Sequence, residues 1–413
     1  MILARPIALD RSSDLEPALV RLGLPTPARA YLLDKLPHAQ LLLTGLGRPE
    51  GRFLREACET TSAAGLLPRY VPGNHQLRPG TALVSGARDQ LDRLAQAARA
   101  AEGMRPLAAA LERALAVDVP PPPMSLGERT FAWGERTYLM GVLNVTPDSF
   151  SDGGLHASPQ AAIARGLELA GAGADLLDIG GESTRPGAAA VSTDEELQRV
   201  LPVIEELHAR IDVPLSVDTS KSAVARAALG AGAAMVNDVT AFAGDSELAA
   251  VTAAAGAAAC LMHMQGTPRT MQSDPRYEDV VAEVLEQLQT AIDRAEAGGM
   301  PRVRVLIDPG IGFGKTPAHN LFLLRHLPEL RVLGCPVLVG TSRKSFVGAL
   351  TGQKAPHRRL FGTLGSVAAV AARAGADLVR VHDVGEAREA LAVVDAISRA
   401  NDGGTLWAPT GRS

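Results

Sequence analysis

The stretch Ala174 to Ala188, ADLLDIGGESTRPGA, gathers several side chains able to do chemistry. Asp178 stands inside a short apolar run, Leu176, Leu177 and Ile179, which Gly180 and Gly181 stop. The run is too brief for a helix and fits a fully buried strand of a parallel sheet. A carboxylate in such a strand is costly unless neighbours hydrogen-bond it or a ligand meets it at the strand's open end. Glu182, Ser183, Thr184 and Arg185 follow, offering a carboxylate, two hydroxyls and a guanidinium, and Pro186 and Gly187 keep that segment irregular. The combination suits a polar ligand held beyond a strand's carboxyl end.

Polar residues of the same kind recur at the ends of other short apolar runs. They are Asn144, Asp218, Asn237, Asp308, Ser342 with Lys344 close behind, and Arg380 with His382. Any one Asp at such a place could be the cap of the next helix, but so many together are hard to explain as caps. His263, between Met262 and Met264, reads instead as a satisfied core histidine. The runs that carry these residues span 138–146, 174–181, 214–219, 234–240, 259–264, 304–310, 336–342 and 377–384. Between them lie Ala- and Leu-rich stretches of helical period, the tightest being 220–233, and a last amphipathic helix occupies 385–400. Eight consecutive β-α units predict an α/β fold, a (β/α)8 barrel of TIM type, whose carboxyl-end rim is where ligands bind. A doubly wound open sheet is disfavoured, because no Gly-rich dinucleotide fingerprint follows the first strand.

The remaining chain sets the context. An apolar share of 46%, a charged share of 21% and a formal net charge of -4 are those of an ordinary soluble protein, with no call for nucleic acid or membrane as a partner. No apolar run reaches the roughly 20 residues that cross a bilayer. Asp10, Asp14 and Glu16 do not fit a signal peptide, so a cytoplasmic location is expected. Cys58, Cys260 and Cys335 are too scattered for a zinc site and read as buried free thiols. Residues 1–119 read as a small α/β appendage, with strands at 40–46 and 81–87, helices at 49–64 and 88–101, and no catalytic constellation. The prolines at 120–123 predict a stiff linker over 120–127, followed by the barrel at 128–402 and a tail at 403–413. Only five of the 41 basic residues are lysine, and Lys221, Lys315 and Lys344 all fall in the strand-end motifs. For Lys344 this favours a role that needs a compact charge, whereas Lys221 and Lys315 could equally be loop or helix-start charges.

From Met140 to Val384 the chain resembles the dihydropteroate synthases of folate biosynthesis. The resemblance is carried in order by GVLNVTPDSFSDGG (141–154), DIGGESTRPGA (178–188), SVDTSK (216–221), VNDVTAF (236–242), LMHMQGTPRTMQ (261–272), LIDPGIGFGK (306–315), VGTSRKSF (339–346) and VRVHDV (379–384). It implies displacement of pyrophosphate from a hydroxymethyl-dihydropterin diphosphate by p-aminobenzoate. By resemblance Asp178, Asp218, Asn237, Asp308, Phe313 and Lys344 form the pterin pocket. Thr184, Arg185, Arg380 and His382 grip the diphosphate, and Lys344, Arg380, His382 and Arg185 are the catalytic set. The resemblance also implies Mg2+ on the diphosphate with Asn144 and Asp152 as its protein ligands, a p-aminobenzoate pocket of Phe150, Pro186 and Ser345, and a homodimer. A pterin-binding methyltransferase barrel would not need Thr184, Arg185, Arg380, His382 or the TSRKS loop. A non-catalytic pterin binder would show a broken constellation, and no member is missing.

Overall fold

The computed structural model describes residues 38–66, 80, 82–146, 159–183 and 190–398. They fall into two compact units that divide between Val119 and Pro120.

The first unit holds β1 (His38–Leu43), α1 (Arg48–Thr61), β2 (Ala64–Leu66), β3 (Ala82–Ala87), α2 (Arg88–Ala100) and α3 (Arg105–Leu115). Its sheet is antiparallel, in the order β1-β3-β2. Leu54, Val84, Leu91, Leu94 and Leu111 meet in its core. Two elements here go beyond the sequence reading. β2 has only three residues, too few to show a period. α3 does carry a legible stripe, Leu107, Leu111 and Leu115 four residues apart and all buried.

The second unit opens with a hairpin, β4 (Met124–Leu126) and β5 (Arg129–Phe131), inside and just after the segment read as linker. Then come β6 (Tyr138–Asn144), α4 (Pro159–Gly171), β7 (Leu176–Gly180), α5 (Thr193–His208), β8 (Leu215–Asp218), α6 (Ser222–Gly230), β9 (Met235–Asp238) and α7 (Leu248–Ala254). They are followed by β10 (Ala258–Met262), α8 (Val280–Ala297), β11 (Val305–Asp308), α9 (Pro317–Arg325), β12 (Leu338–Val339), α10 (Ser345–Thr351), α11 (Leu360–Ala372), β13 (Leu378–Val381) and α12 (Val384–Ser398). Strands β6 to β13 pair in parallel in the order β11-β10-β9-β8-β7-β6-β13-β12. A parallel bridge from Ile307 to Val337 joins the two ends, so the sheet closes into the expected (β/α)8 barrel. Closure leaves no open edge, which rules out the doubly wound alternative.

Two apolar layers hold the barrel. Outside, residues such as Leu177, Ile179, Val217, Val236 and Ile307 pack against the helices. Inside, a layer of inward-facing strand residues, among them Met140, Leu176, Met235, Leu306, Leu338 and Leu378, clusters with Met124, Leu126, Phe131 and Trp133. The hairpin is therefore the apolar floor of the barrel. Phe131, Trp133 and Tyr138 form an aromatic triangle, with ring centroids 5.5 Å, 4.8 Å and 5.5 Å apart. Because side chains alternate along a strand, the residues two positions on from the floor layer face inward again. Leu176 is followed by Asp178, Met235 by Asn237, Leu306 by Asp308 and Leu378 by Arg380. An apolar floor and a polar layer above it thus arise from one period.

Candidate active site

At the centre of the polar layer Asp178 is fully buried. Its Oδ1 accepts from Ser216 Oγ at 2.7 Å, and its Oδ2 accepts from Asn237 Nδ2 at 2.9 Å and from Arg380 Nε at 2.7 Å. The second arm of Arg380, Nη2, donates to Asp218 Oδ2 at 3.1 Å. Asp178 therefore has its desolvation offset by three donors, and it fixes the orientation of an amide and a guanidinium that remain nearer the open end. Burial, followed by the neighbouring Asp178 charge, raises the Asp218 carboxyl above its ordinary value, and Arg380 opposes both.

Asp308 closes β11 on the other side of the barrel. Burial raises its carboxyl, while the N–H of Gly310, donating to Oδ1 at 2.7 Å, and the cations Lys344, Arg380 and Lys315 pull it back toward the ionised form. Beyond it runs a glycine loop, Pro309 to Gly314. Gly310 has φ +66, and a Cβ there would lie 1.8 Å from the carbonyl oxygen of His263, so no other residue fits. The loop presents Phe313, whose ring centre lies 4.2 Å from Lys344 Nζ. Burial pushes the Lys344 ammonium down to about 8, against the pull of Asp308. An ammonium over an aromatic face beside a buried carboxylate suits a flat heterocycle that carries both donors and a carbonyl.

The remaining expected residues divide. Ser342 Oγ and His382 Nδ1 lie 2.9 Å apart, and Ser342 Oγ also accepts from the His382 backbone N–H. Arg343 and Asp383 form a two-pronged ion pair beside them, with Nε to Oδ2 at 3.2 Å and Nη2 to Oδ1 at 2.5 Å. Ser345 is exposed at the first turn of α10. Asn144 ends β6, with its backbone paired to Gly180. Thr184, Arg185, Pro186, Phe150 and Asp152 lie outside the described residues. Glu182 proves to be engaged within the protein, because its Oε2 takes a bond from Lys221 Nζ at 2.5 Å and its Oε1 accepts from Val191 N at 3.3 Å. Lys221 Nζ also pairs with the fully buried Glu196, so this lysine is an internal anchor.

One sequence expectation is met only in part. His263 is buried, but it is not satisfied. Its Nδ1 lies 2.8 Å from Lys315 Nζ, while its Nε2 has no hydrogen-bond partner among the described residues. Lys315, in the loop just before α9, is itself buried. A lone His between two methionines carries no sign of a lysine 52 positions away, so nothing in the local sequence could have revealed the pair.

Residues 140–382 match the family described as pterin binding enzymes. A dihydropteroate synthase of Synechocystis is 47% identical over 279 residues, which cover 68% of this chain and 96% of that protein. The chain belongs to the dihydropteroate synthases. Among solved members, the Xanthomonas albilineans dihydropteroate synthase with 4-aminobenzoic acid superposes with a TM-score of 0.64 at 50% identity. It covers 68% of this chain and 99% of its own. The same enzyme in complex with 7,8-dihydropteroate superposes with a TM-score of 0.62 at 47% identity, covering 68% of this chain and 100% of its own. For a dihydropteroate synthase the barrel unit is the matched part.

Proposed function

We propose that this chain condenses 6-hydroxymethyl-7,8-dihydropterin diphosphate with p-aminobenzoate to give 7,8-dihydropteroate and pyrophosphate. The observation that carries the reading is the polar layer, where Asp308, Asn237 and Asp218 stand above an apolar floor with Lys344 over Phe313. The amino-amide edge of a pterin offers adjacent donors, and Asp308 is the carboxylate to grip it with parallel hydrogen bonds. Asn237 and Asp218 complete that edge, Phe313 walls the ring, and Lys344 donates to its carbonyl side. Asp178, with its three donors, acts by holding Asn237 and Arg380 in place more than by touching the ring.

For the diphosphate we assign Arg380 and His382, with Thr184 and Arg185 from the motif. Phe150, Pro186 and Ser345 are assigned to p-aminobenzoate. Magnesium takes few protein ligands and several phosphate oxygens. Among the described residues no group of three His, Cys, Asp or Glu could hold a metal, so the ion would depend on the diphosphate oxygens. Asn144 would supply one hard oxygen to the ion, with Asp152 as the expected second. The bound ion would neutralise charge on the leaving group. The attacking aniline is neutral near pH 7 and needs no general base. The barrier then lies in the leaving group, and Arg380, His382 and Arg185 take up its developing charge. Carbon-oxygen cleavage ahead of amine attack follows, and scrambling of a bridging-oxygen label without p-aminobenzoate is its signature.

No described helix is long and apolar enough to cross a membrane, and we place the enzyme in the cytoplasm. Exposed Leu350, Phe361, Val393 and Ile397 on the last three helices support a homodimer. The deciding experiment is pyrophosphate release from the pterin diphosphate with magnesium. Release that requires p-aminobenzoate supports the proposal, and none in protein shown to bind the pterin sinks it.

A further inference from the structure

The buried pair of Lys315 and His263 has no part in the assignments above, yet it sits directly beneath them. Lys315 Nζ has three acceptors: His263 Nδ1 at 2.8 Å, the carbonyl of Gly310 at 3.1 Å and that of Phe313 at 3.1 Å. An ammonium has three N–H donors, so the charged form matches this cage one for one when Nδ1 of His263 accepts. Accepting at Nδ1 puts the His263 proton on Nε2 and keeps the ring neutral. The backbone N–H of His263 donates to the carbonyl of Asp308 at 2.9 Å, which ties the same residue to the end of β11. Three further clamps act on the glycine loop: Tyr277 Oη donates to the carbonyl of Gly314 at 2.8 Å, Gln272 Nε2 to that of Gly312 at 2.6 Å, and Gly312 N–H to Asn320 Oδ1 at 2.8 Å. Lys315 is the clamp that carries charge.

Resting on the proposed pterin reading, we propose that Lys315, seated on His263, is a positioning residue for pterin recognition. It pins the loop that presents Phe313 and adds, beside Lys344 and Arg380, to the positive charge that keeps Asp308 an acceptor. The groups facing Lys315 are Asp308 from β11, Lys344 from before α10, His263 from after β10 and the Tyr277 ring, 5.9 Å away. Burial lowers the Lys315 ammonium to about 7, helped by Lys344 and opposed by Asp308, and the His263 ring falls to about 3, through burial and then Lys315. A cation at that depth is costly, but an apolar residue there would leave the carbonyls of Gly310 and Phe313 and Nδ1 of His263 unpaired, so the ammonium both holds the loop and places positive charge near Asp308.

The test is calorimetry of 6-hydroxymethyl-7,8-dihydropterin diphosphate on the full chain across pH, without p-aminobenzoate. Lys315→Met should weaken binding about tenfold, the scale of one lost buried charge-assisted bond. It should also move the acidic limb of the affinity profile to higher pH, because Asp308 loses a nearby cation. Wild-type affinity in folded Lys315→Met overturns the proposal, as does weaker binding with the acidic limb unmoved. Should that variant fail to fold, His263 decides the matter. His263→Asn keeps an acceptor for Lys315 and should bind within about threefold of wild type, while His263→Leu removes it and should weaken binding about tenfold. Equal affinities for the two overturn the proposal. Asp308→Asn serves as the control: unchanged affinity there sinks the pterin reading itself, whereas its loss together with an unaffected Lys315→Met sinks only this inference.

Discussion

Asp308 and Lys344 carry the sharpest expectations about single residues. Asp308→Asn puts an amide donor where the pterin edge also donates, leaving buried groups unpaired at about 1–3 kcal/mol, or roughly fivefold to 150-fold in affinity. Calorimetry of the pterin substrate should show that loss, and unchanged affinity would remove Asp308 from the grip. Lys344 makes a prediction about pH. Its ammonium is held at about 8 against an ordinary 10.5, so between those values the unfolded chain binds more protons than the folded one. Stability of the ligand-free protein therefore rises with pH across that window and is lowest, for this residue's part, below about 8. Thermal unfolding should find Lys344→Met more stable than wild type at pH 7.5, with the gap narrowing by pH 10. A gap of constant size would mean that burial of the charge is not its cause. The candidate residues themselves were legible because strand ends are legible. Their division of labour was not, since Asp178 finds its partners 38, 59 and 202 positions away in the chain.

Among the elements, the hairpin β4–β5 matters most for keeping the site in shape. It fills the amino-terminal mouth of the barrel with Met124, Leu126 and Phe131, and Arg304 Nη1 donates to the carbonyl of Ser125 at 2.7 Å to hold it from β11's side. Phe131→Ala opens a cavity in a fully packed floor and should cost about 3–5 kcal/mol of stability. The polar layer stands above that floor on rigid strands. The expected outcome is thus a large drop in melting temperature with the pterin KM unchanged at low temperature, and a KM that rises in step with the lost stability would show that floor and site are coupled. The hairpin escaped the sequence reading because two three-residue strands show no period and because the four prolines before them suggest a linker.

On the scale of the whole chain, the barrel unit carries all the described candidate residues and the entire family match. A chain that starts at Pro120 keeps the hairpin and should fold and release pyrophosphate at the rate of the full chain. Measured kcat/KM for both substrates settles this: loss of turnover in a well-folded barrel would assign the first unit a part in catalysis or assembly. A start beyond Phe131 should instead give insoluble protein, because it exposes the inner apolar ring of Met140, Leu176 and Leu378.

The sequence by itself determined the barrel, since eight buried parallel strands alternate with helices long enough to cross back, and period two sets a polar residue two places beyond Leu176, Met235, Leu306 and Leu378. It also made the family legible, because long motifs resemble those of the dihydropteroate synthases in the same order. Only the tertiary structure decided which polar groups face a ligand and which hold one another. Asp178 and Glu182 look alike as free carboxylates in the sequence, yet closure of the sheet brings Ser216, Asn237 and Arg380 to the first and Lys221 to the second. Lys315 and His263 are the limiting case: neither is distinctive alone, and their meaning comes from a contact that exists only when β10 and the glycine loop after β11 lie side by side.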